Sequence, residues 1–112
     1  MKLITDAILA KLKANHAKAN ETGETQPVVL KLFGGSSMTW LITEIEDDGD
    51  RMWGLCDIGH GCCEFGTISL SELKALKFPP FNLPVERDRH FRGGSVDEFN
   101  KYYEEHNSLN GC

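Results

Sequence analysis

The chain has 112 residues, 40% of them hydrophobic and 26% charged, which fits one globular domain of ordinary polarity. Its formal net charge of −5 weighs against nonspecific affinity for nucleic acid as a whole-molecule property, and no apolar run reaches the length of a membrane span. The start lacks the apolar core of a secretory signal, so the expected compartment is cytoplasmic, with the four cysteines present as reduced thiols or metal ligands rather than bridges.

Thr5 can cap a helix that begins at Asp6, where a carboxylate favours the helix dipole. Ile4, Ile8 and Leu12 recur at helical spacing, and the helix should fade near Asn20. Lys11 and Lys18 share a face that reads as solvated. Residues 21–27 form a polar loop. A strand over 28–33 leads through the turn at 34–37 to a second strand over 38–45, with Met38, Trp40 and Ile42 on one face. An acidic hairpin around Asp48-Gly49 returns the chain to a strand over 51–56. Gly59, Gly61 and Gly66 then mark backbone that needs positive φ or a close approach. A strand over 64–70 follows, and Ser69 or Ser71 caps a short helix over 71–76. The proline-rich stretch 78–84 is a stiff crossing, and 85–91 is extended. Ser95 and Glu98 make a capping box for a last helix that aligns Val96, Phe99 and Tyr103; residues 107–112 are expected to fray.

These elements predict an α+β domain. It is a small, twisted, mainly antiparallel sheet with an N-terminal helix, a short helix after the sheet meander and an added C-terminal helix. The expected division is a domain over 1–94 and a helical appendage over 95–112. Leu30, Leu32, Trp40, Ile42, Leu55, Ile68, Leu70 and Leu73 should supply much of the core.

Three groups of residues could carry chemistry. Glu86, Asp88 and His90 would share one face of a strand at spacing i, i+2, i+4. Two carboxylates and an imidazole there could hold Mg²⁺ or Mn²⁺ for phosphodiester hydrolysis, with Asp57 or Glu64 completing the set. The competing reading is a solvated or salt-bridged polar face. Cys56, His60, Cys62 and Cys63 are zinc-ligand types, but no C-x-x-C occurs and adjacent cysteines in a strand face opposite ways. The favoured reading is a small buried hydrophobe at Cys56 and a loop histidine at His60. The acidic residues Glu44, Asp47, Asp48 and Asp50 could imitate a phosphate backbone, or could simply charge a hairpin tip. With Trp40, Arg87 and Arg89 they complete the candidate binding residues. No nucleophile elbow, phosphate-binding loop or dinucleotide fingerprint is present.

Several segments in order resemble the bacterial domain-of-unknown-function family 2958. They are Leu3-Ile4-Thr5 before a helix, Trp40-Leu41-Ile42-Thr43-Glu44, Trp53-Gly54-Leu55-Cys56-Asp57-Ile58-Gly59, Glu64-Phe65-Gly66, Ile68-Ser69-Leu70-Ser71-Glu72-Leu73, and Leu83-Pro84-Val85-Glu86-Arg87-Asp88 with Phe91. His60, Thr67 and Arg89 depart from the family pattern, and the helix after Gly94 reads as an addition. The resemblance implies an accessory protein of plasmids, conjugative elements and similar mobile DNA, and it implies no activity.

The leading functional expectation is therefore a non-enzymatic binding module of a mobile element, acting in transfer, maintenance or evasion of host defence through a protein partner. The alternatives are a divalent-metal nuclease on the Glu86 face and a zinc-stabilised binding domain. No cofactor and no membrane contact are expected, and the net charge disfavours nucleic acid as the partner.

Overall fold

Thr5 starts the first helix as its type predicts. Its Oγ1 accepts the Ile8 N–H at 3.2 Å, and α1 runs over Asp6–Thr22. Gly23 ends it in the left-handed region at φ 73°, donating to the Ala19 carbonyl at 2.8 Å. The computed structural model describes residues 2–112 apart from Ser36, His60 and Cys62.

The meander follows as β1 (Leu30–Gly34), β2 (Met38–Ile45), β3 (Arg51–Asp57) and β4 (Cys63–Ser69). After it come α2 (Leu70–Ala75), a small hairpin of β5 (Lys77–Phe78) and β6 (Leu83–Pro84), then β7 (Glu86–Arg87) and α3 (Val96–His106). The main sheet has the order β4-β3-β2-β1-β7 and its neighbours are antiparallel. The short connections favour this pairing, and the architecture is α+β as expected.

The sheet buries apolar groups on both faces. On one, Leu30, Leu32, Trp40, Ile42 and Met52 lie beneath Leu12 of α1 and Leu70 and Leu73 of α2. On the other, Val28, Leu41 and Leu55 meet Phe99 of α3 and Leu109. The central strand β2 is consequently buried from Thr39 to Ile45, and at Trp40-Leu41-Ile42 it runs apolar where a one-sided strand would alternate. Of the expected core residues, Ile68 is half-buried and the rest are buried.

Past Ile42 the strand outruns β1, and a register shift falls between Ile42 and Glu44. The side chain of Asn15, buried at 6% exposure, donates to the Thr43 carbonyl there at 2.9 Å. Asn15→Ala removes that donor in a dry place. It should cost about 1–3 kcal/mol in urea unfolding; an unchanged midpoint would mean that water replaces the amide.

Three expectations are corrected. Residues 107–112 are packed rather than frayed: Leu109 is fully buried, and its N–H meets the buried Asp57 carboxylate at 2.9 Å. The stretch 78–84 is a hairpin rather than a bare crossing. Residues 85–91 do not stay extended: Glu86 and Arg87 pair with β1, the Asp88 N–H meets the Lys31 carbonyl at 3.0 Å, and the chain then turns at Arg89 and His90. The Asp88 carboxylate then accepts the His90 N–H at 2.9 Å, and this local bond turns the chain. No helix among the described residues is long and apolar enough to cross a membrane.

Candidate functional site

Among the described residues, the β5–β6 hairpin presents the most exposed large apolar side chains. Its base is anchored, since Phe78 packs on the turn between β1 and β2. A Cβ at Gly34 would stand 2.3 Å from Phe78 Cε2, so only glycine leaves room for the ring. Asn82 closes the hairpin tip at φ 57°, a conformation asparagine tolerates. With the base held, the tip projects Phe81 at 80% exposure and Leu83 at 56%, with Leu76 also exposed beside the hairpin. Such a group of exposed apolar side chains is characteristic of interaction surfaces. It is not among the sites expected from the sequence. Its signal is Pro79-Pro80-Phe81-Asn82-Leu83-Pro84, a stretch with apolar side chains that the prolines keep out of any central strand.

Four of the five acidic residues of the 44–50 segment bond within the fold, Asp48 while remaining exposed. Glu44 is buried and bonded to His16 Nδ1 at 2.9 Å. Glu46 accepts the Trp53 indole N–H at 2.8 Å and lies 3.5 Å from Arg51. Asp48 accepts the N–H groups of Asp50 and Arg51, at 2.9 and 3.0 Å. Asp50 accepts the Ser71 N–H at 2.7 Å and the Ser69 hydroxyl at 2.9 Å, tying the hairpin to the start of α2. Asp47 is exposed.

These bonds favour the ionised carboxylates. The backbone N–H groups of Asp50 and Arg51 lower the pKa of Asp48, and the Ser71 N–H, followed by the Ser69 hydroxyl, lowers that of Asp50. A carboxyl with a depressed folded pKa stabilises the native state above its unfolded pKa of about 3.9. That contribution is lost as pH falls through the folded pKa. Asp50→Asn should therefore melt below wild type at neutral pH, and the gap should close in acid below about pH 4. A gap that persists in acid would assign the loss to shape rather than charge.

The remaining candidates are dispersed. Trp40 is buried in the core, at 4% exposure. Arg87 donates through Nη1 to the carbonyls of Lys2 at 2.7 Å and Leu3 at 3.3 Å, which pins the segment before α1. Arg89 is exposed. Glu86, Asp88 and His90 do not share one strand face, because the chain turns at Arg89 and His90. Asp88 instead lies 3.8 Å from the buried Lys31, whose Nζ also donates to the Cys112 carbonyl at 3.2 Å. Burial pushes the Cys112 thiol pKa up. Asp57 is turned inward and accepts the N–H groups of Gly59 and Leu109.

Of the zinc candidates, Cys56 packs against the first core and Cys63 against the second, on opposite faces of the sheet. His60 and Cys62 lie outside the described residues. Among the described residues, no three of His, Cys, Asp and Glu gather in a group that could hold a metal ion.

The sequence profile of the family described as "Protein of unknown function (DUF2958)" matches residues 3–109, a span that includes α3 and the packed turn after it. No curated protein and no solved structure shows a significant match to the chain.

Proposed function

The chain belongs to the DUF2958 family, and from that premise we propose that it is a non-enzymatic interaction module of a mobile genetic element, binding a protein partner through the β5–β6 hairpin. The observation that carries this reading is the pair Phe81 and Leu83, at 80% and 56% exposure on a hairpin whose base is locked by Phe78 against Gly34. Exposed apolar side chains on an anchored support can enter a partner's pocket with little loss of backbone freedom. The mobile-element setting rests on the family resemblance of the sequence, and with it the roles in transfer, maintenance or evasion of host defence.

The test uses the element that carries the gene. Deletion should lower transfer or retention of that element, and the wild-type gene should restore it. Phe81→Ser combined with Leu83→Ser should fail to restore it while lowering the melting temperature only slightly, since both side chains are more than half exposed. Full restoration by the double variant would remove the hairpin from the function. A deletion without effect on the element would remove the mobile-element reading.

A further inference from the structure

A cleft of about 710 Å³ lies between the segment leading into α1, the helix α2 and the link from β6 to β7. That volume is within the range of small-ligand sites. Leu3, Leu9, Leu73 and Val85 give it an apolar lining, and the last two are buried at 4% and 6% exposure as part of the first core. Lys2, Lys74 and Lys77 are exposed along it, and Glu86 is the carboxylate among its described lining residues. The formal balance is thus three positive charges to one negative, on a molecule whose net charge is −5. The wall formed by residues 2–4 is held in place by the two Arg87 bonds to the Lys2 and Leu3 carbonyls.

We propose that this cleft binds a small organic anion with an apolar body, such as an alkyl or aryl carboxylate. The leucines and Val85 take the apolar body out of water. The lysines meet the carboxylate as point charges, each on a flexible stem that adjusts to the headgroup. Neither half of the site suffices alone, because the lysines are solvated and contribute little to a bare ion, and the apolar lining offers no headgroup partner. Phe81 and Leu83 are absent from the described lining, so this proposal stands apart from the hairpin reading.

Decanoate is a suitable probe, with 1-decanol as its uncharged counterpart. Titration calorimetry should show saturable decanoate binding that weakens with added salt. Amide shift changes should centre on Leu3, Leu9, Leu73 and Val85. Lys74→Ala combined with Lys77→Ala should weaken binding about tenfold, and the paired Lys→Arg changes should not. Decanol should bind about tenfold more weakly than decanoate. The Phe81→Ser, Leu83→Ser variant should bind decanoate as wild type does, so loss of one reading leaves the other intact. Absent decanoate saturation, equal affinity for decanol, or shift changes centred elsewhere would each overturn the proposal.

Discussion

Gly54→Ala is expected to lower stability by about 3 kcal/mol, although it adds a single methyl group. Gly54 lies in β3 opposite Ile42, beside the register shift in β2. A Cβ there would stand 2.1 Å from the Leu41 carbonyl oxygen and 2.9 Å from the Ile42 Cα. Both are backbone atoms of the central strand, which is buried on both faces and cannot move aside as a flexible side chain would. Gly66, its partner across the β3–β4 ladder, is the internal control. A Cβ there meets nothing within 4 Å, so Gly66→Ala should cost little or stabilise by up to about 1 kcal/mol through the unfolded chain. Urea midpoints of the two variants, measured together, check the contrast. Equal midpoints would mean that β2 and β3 separate at no cost.

Ending the chain after Gly94 is expected to abolish cooperative unfolding. Sequence patterning places a boundary there and makes residues 95–112 an appendage. In the structure, Phe99 and Leu109 lie in the second core with Val28, Leu41 and Leu55. Shaving a buried Phe to Ala costs about 3–5 kcal/mol and a buried Leu about 2–5, against about 5–15 for a typical domain in total. Removing both, with the rest of α3, uncovers one face of β2 and takes away the Leu109 N–H from the Asp57 carboxylate. The 1–94 chain should show dispersed amide resonances only in part and no sharp melting transition. A sharp transition with native-like dispersion would uphold the boundary after Gly94.

Local chemistry was the legible part. Thr5, Ser69 and Ser95 each accept the N–H group three residues on, as N-cap residues do. The four meander strands follow from apolar periodicity and turn residues, each within two residues of the expected ends. Gly59 and Gly61 take positive φ as their place between strands suggests. Gly66 needs neither positive φ nor a close approach, while Gly54 cannot be replaced without a clash. Both glycines sit in strands, but a Cβ at Gly54 would meet the backbone of β2, whereas Gly66 lies on the edge strand β4 with nothing against it.

The candidate sites were legible as residue types and not as assemblies. Glu86, Asp88 and His90 are aligned by a period of two only while the backbone stays extended, and the local bond from the His90 N–H to the Asp88 carboxylate ends that period. The acidic run reads as surface because charge is counted along the chain. Its carboxylates are distributed among His16, Trp53 and Ser71, residues up to 28 positions away.

The four meander strands, the three helices with their N-caps, and the α+β class can be read from the chain alone, because each depends largely on patterns spanning a few residues. Tertiary contacts settle which polar groups are internal fasteners and which surfaces stay open. Asp50 reaches across 21 positions to Ser71, and Arg87 reaches 85 positions back to Lys2; no local pattern encodes such pairings. The exposed tip at Phe81 and the lysine-lined cleft have the same origin. Whether an apolar side chain is buried depends on what the rest of the chain brings against it: Leu73 and Val85 on the cleft wall are buried in the first core, while Phe81 stays 80% exposed.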